Sequence, residues 1–497
     1  MNVLPAAPFR RLLLTALLLL CTGCMVGPNY KRPAAIAPSA FKEPPPPNFK
    51  EAEAEGWKQS QPGDAFLKGK WWEVYNDSEL NALEEQVSLS NENVLQAEAQ
   101  YLEAKAGVRE ARSSLFPAVT TSPSVNASRN GVSSGTATSA AAAAGTIVSA
   151  SSGTRTSFVL PFAVSWEPDL WGSIRRNITA SKALVQGFEA DLENARLLYQ
   201  SELAEDYFNL HGVDSEIELL KHTEDLYREF LGLTRNRFSG GIASDLDVAQ
   251  AESQLYGVQA ALIDLGVQRA QLDHAIAILI GKPPAHSSVP PRILANLPPP
   301  IPVGLPSELL ERRPDIAGAE RRVAAANEQI GIAMAAFYPS LTLSGTAGVA
   351  NSSLLQLVNW PSRFWSVGSQ LAETLFDAGR RRAIVAQQRA AYDATVDAYR
   401  QTVLTAFQQV EDNLAALRIL EEESGITEET IQASDRALRV STAQYRAGTT
   451  SYLTVLTTQA TLLTAQRSAV TLIERRLTAS VLLIEALGGG WNTAKLQ

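Results

Sequence analysis

The chain has two thiols, Cys21 and Cys24, and both lie near its N-terminus. Arg10 and Arg11 precede the apolar run Leu12–Leu20, and Thr22-Gly23-Cys24 follow. A basic segment, a short apolar segment and a small-residue cleavage site make a secretory signal. The apolar run is far shorter than the ~20 residues needed to span a bilayer core. A cysteine directly after the small residues forms a lipid-attachment box, although Cys21 stands where such boxes usually carry Leu. Residues 1–23 are therefore expected to be removed, with Cys24 becoming the lipid-bearing first residue. An ordinary signal peptide with an incidental cysteine is the plainer alternative. Each buried CH₂ contributes ~0.8 kcal/mol, so a multiply acylated cysteine anchors firmly. Met25 follows where lipoproteins kept at the inner membrane often carry Asp, which favours the outer membrane.

Other reactive groups are sparse. His211, His222, His274 and His286 fall in no metal-ligand spacing, and no cysteine remains after Cys24 for a disulfide or thiolate site. No HExxH, GxSxG or phosphate-loop pattern occurs. We expect no catalytic residues, no metal site and no cofactor beyond the covalent lipid on Cys24. The net charge of −9 argues against a nucleic-acid partner.

The elements that must hold this anchor form an internal duplication. Phe238-Ser239-Gly240-Gly241-Ile242 matches Tyr445-Arg446-Ala447-Gly448-Thr449 in a register that runs from Gly172/Gly379 to Gly281/Gly488. A second register pairs Asn93 with Asp315 and Phe116-Pro117 with Tyr338-Pro339. The two registers differ by an insertion that must lie between Pro117 and Gly172, where the Gly/Ser/Ala/Thr-rich stretch Gly131–Gly153 sits. The unit is too long for a solenoid repeat. The halves run from about 79 to 281 and from about 307 to 488.

Each half reads as helix, hairpin, helix, helix. Gly172–Phe238 and Gly379–Tyr445 lack proline, as do Ser244–Ile280 and Ser451–Leu487. Val403, Phe407, Val410, Leu414 and Leu417 recur at three and four spacing, an amphipathic pattern. Helices are expected over Glu79–Arg112 and 307–337 as well. The long helix would span ~100 Å and lie beside two shorter ones stacked end to end.

Charge nearly disappears in two windows. Ser113–Trp166 contains only Arg129 and Arg155, and Gln329–Ala372 only Arg363, although 19% of the chain is charged. The period there becomes two. Phe158, Leu160, Phe162, Val164 and Trp166 alternate with small or polar residues, as do Leu341 and Leu343, and Trp365, Val367 and Leu371. These are strands with one apolar face, two per window, around the loops Gly131–Gly153 and Asn351–Pro361. Phe116, Trp166, Tyr338, Trp360 and Trp365 near strand ends suit the aromatic girdles of outer-membrane barrels. Four strands cannot close a barrel, and open edges do not survive in lipid, so several copies must contribute. Three copies would give twelve strands; the strand count alone also allows two or four.

Cys24-Met25-Val26-Gly27-Pro28-Asn29-Tyr30, Trp71-Trp72 with Asn76-Asp77-Ser78-Glu79-Leu80, and Glu311-Arg312-Arg313-Pro314-Asp315-Ile316 resemble motifs of TolC-like outer-membrane efflux lipoproteins, the OprM/NodT branch. So do Phe337-Tyr338-Pro339-Ser340, Asp169-Leu170-Trp171-Gly172 and Leu375-Phe376-Asp377-Ala378-Gly379-Arg380. The resemblance covers nearly all of the mature chain. It implies a mainly α fold with a membrane β-barrel: a homotrimer closing a twelve-stranded barrel above a long α-helical barrel of twelve helices. It implies an equatorial region from residues 24–78, 282–306 and 489–497. It implies an outer-membrane location, lipid-anchored and extending into the periplasm. Its partners would be outer-membrane lipid, a periplasmic adaptor (membrane fusion) protein and a proton-driven inner-membrane transporter of the resistance-nodulation-division type.

The implied role is a passive channel-tunnel of a tripartite pump exporting small molecules such as drugs. Metal-ion efflux and type I protein secretion are alternatives, and a non-conducting lipid-anchored coiled-coil protein is one from another class. The turns at Gly241 and Gly448 would form the periplasmic tips and meet the adaptor. In relatives, acidic side chains near the second tip constrict the pore. The matching positions here are Thr454 and Thr457, which are uncharged. Asp245 and Asp247 at the first tip either replace that acidic ring in part or simply cap the following helix.

Overall fold

A computed structural model describes residues 25–35, 38, 40–43, 69–129, 154–294, 297–301 and 309–491. The signal segment, Cys24 and the loop Gly131–Gly153 lie outside the described residues. After a 3₁₀ turn at Trp71–Tyr75, the elements are α1 (Ser78–Ser90), α2 (Glu92–Ser113), β1 (Ala118–Thr121), β2 (Ser124–Ser128), β3 (Arg155–Trp166), α3 (Ser173–Ser239) and α4 (Asp245–Leu279). There follow α5 (Leu309–Arg312), α6 (Pro314–Ala335), β4 (Ser340–Asn351), β5 (Arg363–Ala372), α7 (Arg380–Arg446) and α8 (Tyr452–Ala486). Helices α3 and α7 have 67 residues each, and α4 and α8 have 35 each.

The helix expected over Glu79–Arg112 is broken at Asn91. That residue leaves helical geometry (φ −69°, ψ 121°). Its side-chain oxygen accepts from the backbone N–H groups of Asn93 and Val94, capping α2. Its Nδ2 donates to the Leu279 carbonyl at 2.8 Å. The helix expected over 307–337 is likewise divided, because Pro314 starts α6 and cannot continue the helix before it. There Arg313 Nη1 donates to the Ala486 carbonyl at 2.9 Å, in the place of Asn91. The duplication is thus repeated in the third dimension. Gly281 (φ +70°) presses on the Ser90 carbonyl where Gly488 (φ +92°) presses on that of Arg312. A Cβ would clash at either site, so both glycines are steric necessities.

The chain resolves into two compact units. The first contains residues 105–182 and 324–393 with the start of the chain, and its centre is one antiparallel sheet in the order β1/β2, β3, β4, β5. Where four strands are expected, five segments appear. β1 and β2 both pair with β3 in one unbroken register, Thr121 opposite Phe162 and Ser124 opposite Val159. Ser122 and Pro123 interrupt a single strand, since proline cannot donate to the ladder. The sheet has four strand positions.

The second unit, residues 32–104, 183–323 and 394–497, is helical. Trp71, Trp72 and Tyr75 are buried in it, with Tyr75 packed on Phe208 at 5.0 Å and its hydroxyl 2.7 Å from Ser480 Oγ. The segment after α4 is fastened down by polar contacts. Val289 N–H donates to Asp273, Arg292 N–H to Asp214, and the Arg292 guanidinium to Asp77 at 2.7 Å. Asp77 also caps α1 and accepts from the Tyr207 hydroxyl, so one buried carboxylate ties three parts of the chain together.

Candidate functional site

The sheet is the first candidate. Its register settles which side chains share a face. Opposite Phe158, Leu160, Phe162, Val164 and Trp166 of β3 stand Asn351, Val349, Ala347, Gly345 and Leu343. Opposite these on β5 stand Arg363, Trp365, Val367 and Ser369, with Leu371 opposite Leu341. Val119 and Val125 join the same face from the other side. The opposite face carries mostly small and polar residues, among them Thr120, Ser124, Asn126, Ser157, Ser165, Ser340, Thr342, Ser344, Thr346, Ser366 and Gln370, interspersed with Val159, Pro161 and Phe364. One face is built for hydrocarbon and the other for water. Trp365 and Val367 are 78% and 80% exposed in the isolated chain. The edges β1/β2 and β5 have no partner strand among the described residues.

Aromatic side chains gather where the strands meet the helices. Trp166 donates its indole N–H to the Leu115 carbonyl, and Trp171 donates to that of Pro339. Trp171 stacks on Tyr338 at 4.7 Å. Asp169 accepts from the backbone and side chain of Arg175, and Asp377 from those of Arg381, so matching carboxylates cap the starts of the two long helices. The residues that follow Cys24 are seated here. Val26 N–H donates to the Trp171 carbonyl. Arg176, 1% exposed, donates to the carbonyls of Val26 and Pro28 and to Glu328 at 2.6 Å. A Cβ on Gly27 would strike Gly331, and one on Gly331 would strike Arg176. The slot fits a backbone with no side chain.

The helix-to-helix turns of the second unit are the other candidate. Both end their long helix in the same way. Ile242 N–H bonds to the Arg237 carbonyl and Gly241 N–H to that of Phe238; Thr449 and Gly448 repeat this on Gln444 and Tyr445. Gly241 and Gly448 have φ of +72° and +76°, the left-handed residue this C-terminal motif requires. The starts of the next helices differ. Asp247 and Ser244 form a reciprocal capping box at α4. Asp245, beside it, is exposed. At α8 the equivalent Ser451 makes no side-chain cap, and hydroxyls take over: Thr450 bonds to Thr454, and Thr457 and Thr458 to the Thr454 carbonyl. Thr454 and Thr457 are exposed.

A buried cluster ties the two turns together. Tyr227, Tyr445 and Tyr452 are buried, with Tyr445 and Tyr452 5.6 Å apart. Burial, reinforced by the neighbouring tyrosines and Asp247, pushes the Tyr452 hydroxyl up to about 12. Arg237 lies over the Tyr445 ring at 4.5 Å and donates to the Tyr445 carbonyl at 2.7 Å. Arg237 and Tyr227 read as ordinary helix residues in the sequence, and Tyr445 stands out there only through the repeat register. Arg176 left a partial signal, as an arginine shortly after the repeated Gly172.

Carboxylates crowd the seam between α3 and α8. Burial, then Glu485 and its acidic neighbours, raises Glu205 to about 7. Burial, then Glu216, raises Glu474 to about 7, and burial with Glu202 raises Asp206 to about 6. On α1, burial alone drives the Glu84 carboxyl well above its ordinary range, and neither of its oxygens has a hydrogen-bond partner among the described residues.

Comparison with known proteins settles what this architecture is. Residues 83–282 and 305–489 match the family model of the outer membrane efflux protein. The chain belongs to the outer membrane efflux protein family. It is 30% identical over 472 residues to the probable efflux pump outer membrane protein TtgC of Pseudomonas putida, covering 94% of this chain and 93% of that one. It is 30% identical over 463 residues to the pyoverdine export outer membrane protein OpmQ of the same organism, covering 93% of this chain and 97% of that one. The solved outer-membrane channel OprN superposes with a TM-score of 0.81 at 28% identity, over 94% of this chain and all of that one. This member of the family is therefore an outer-membrane efflux channel subunit, and its fold is the TolC-like combination of helical barrel and β-barrel. The family is one of channels and not of enzymes.

Proposed function

We propose that three copies close one twelve-stranded barrel and that the trimer is the passive exit duct of a tripartite pump, exporting small molecules such as drugs. The observation that carries this reading is the four-position sheet, apolar on one face and polar on the other, with both edges free among the described residues. In lipid each edge needs a strand, and the complementary edge of another copy supplies one. The subunit catalyses no reaction; energy comes from an inner-membrane transporter through a periplasmic adaptor. The paired turns at Gly241 and Gly448 are the adaptor-facing tips. Lipid on Cys24 holds the start of the chain at the membrane, and the slot formed by Arg176, Gly331 and Glu328, which begins two residues further on at Val26, supports that placement.

Thr454 and Thr457 at the second tip are uncharged, so the constriction there is lined by their hydroxyls and not by an acidic ring. Asp247 is engaged in its capping box, which leaves Asp245 as the carboxylate free to face the pore. Purified, lipidated protein in planar bilayers tests the reading, with particle mass measured by light scattering. Discrete openings from a trimer-sized particle are expected. A monomer that never conducts at any voltage would overturn it.

A further inference from the structure

Beside the ends of β4 and β5, a groove of about 350 Å³ opens between the end of α6 and the start of α7. Its floor is Met334, Phe337 and Tyr338. Its far wall is one stripe of α7, with Val385 and Ala386 flanked by Arg382 and Arg389. The spacing of seven residues puts both side chains on one helix face with their Cα atoms ~10 Å apart along the axis, so the two long guanidinium arms can converge on one group between them. Both arginines are exposed, and neither has a hydrogen-bond or ion-pair partner among the described residues. Their neighbour Arg381 is engaged, bonded to Asp377 and lying over the Phe337 ring at 5.2 Å. Among the described residues no carboxylate lines the groove. Two unmatched cations above an aromatic floor call for a ligand that is anionic at one end and apolar at the other.

The register says at what depth the groove lies. Ser340 pairs with Ala372 as the last rung of the sheet. Tyr338 stands two residues before that rung, and Arg382 ten residues after it. Between them the apolar face runs on through Leu371, Leu375 and Phe376, all strongly exposed. Trp171, stacked on Tyr338 and bonded to the Pro339 carbonyl, adds to the aromatic residues gathered at this end of the sheet, as aromatic belts gather at membrane interfaces. The groove therefore sits where hydrocarbon gives way to headgroups on the helical side of the membrane. From this geometry we infer that Arg382 and Arg389 bind the phosphate of an anionic phospholipid, whose acyl chains lie along Leu375, Phe376 and the outer face of β5. Guanidinium groups match phosphate oxygens bidentately, and the interfacial field adds to the attraction.

The test uses the full lipidated protein in nanodiscs. Short-chain phosphatidylglycerol and phosphatidylcholine are titrated against it, with bound lipid counted by native mass spectrometry. The wild type should prefer phosphatidylglycerol at least tenfold. The double variant Arg382→Gln/Arg389→Gln should lose that preference, Arg382→Lys/Arg389→Lys should keep part of it, and Val385→Trp should block binding of both lipids at this site. Equal binding of the two lipids by the wild type would overturn the inference. So would a preference that survives in the glutamine variant, or displacement of the lipid by equimolar inorganic phosphate, which would mark a free-anion site. Loss of the assembled oligomer in the glutamine variant would also overturn it, by identifying the groove as a contact between copies.

Discussion

Single side chains distinguish the two tips. Asp247 completes a capping box that its counterpart Thr454 cannot form, and Asp245 is matched by Tyr452, so the first tip carries two carboxylates where the second carries none. Thr454→Asp should rebuild the box with Ser451, stabilising α8 by ~1 kcal/mol. It would also place three carboxylates around the axis of a trimer. Lower single-channel conductance with a raised cation preference is expected in planar bilayers; unchanged conductance would show that Thr454 does not face the constriction. The sequence disclosed the tip glycines through the repeat register. It did not disclose Arg237, because a cation lying over a ring two hundred residues away leaves no local trace.

Elements were the most legible level, for physical reasons. Proline-free amphipathic stretches 67 residues long have few alternatives to helix, and the alternation in β3 has few alternatives to strand. The break at Asn91 was missed because no proline or glycine marks it. Its cause is a tertiary hydrogen bond to Leu279 together with a cap on α2. Asn91→Ala removes both, and a loss of ~1–2 kcal/mol in denaturant unfolding is expected. The seam between α3 and α8 makes a second claim at this scale. Its carboxylates are raised when folded, so the folded state holds protons that the unfolded chain releases at about 4.5. Their contribution is intact below that pH and is lost as pH rises through about 7. Thermal stability should therefore fall between pH 5 and pH 8, and Glu205→Gln with Glu474→Gln should flatten the profile. A slope unaffected by these substitutions would place its origin elsewhere, with Glu84 as the next group to change.

The whole molecule follows from the sheet's two faces. Val367→Lys puts a charge on the apolar face, where a cation in hydrocarbon costs ~2–4 kcal/mol near mid-depth. Ser344→Lys puts the same charge on the polar face, where water remains. The first should abolish the trimer-sized particle proposed above, measured by light scattering; the second should leave it intact and shift ion selectivity in bilayers. Reversed effects would mean that the faces have been assigned the wrong way round, and equal effects that they do not divide between lipid and water. The windows without charge made the sheet readable in advance. The slot holding Val26 and Pro28 was not, since it depends on Arg176 and Glu328, buried charges that each look like a surface residue in the sequence.

That slot also bears on the order of events during biogenesis. Residues 26 and 28 are among the first made of the mature chain, yet the groups that receive them stand about 150 and 300 positions later. The start of the chain must therefore wait, unsatisfied, until Glu328 and Gly331 have emerged and reached Arg176. Closing so long a loop is slow compared with forming a hairpin, which leaves an interval for the lipidation of Cys24 proposed above before residues 26–28 dock. Docking of residues 26–28 is in this sense a late step, since the groups that receive them are made long after them.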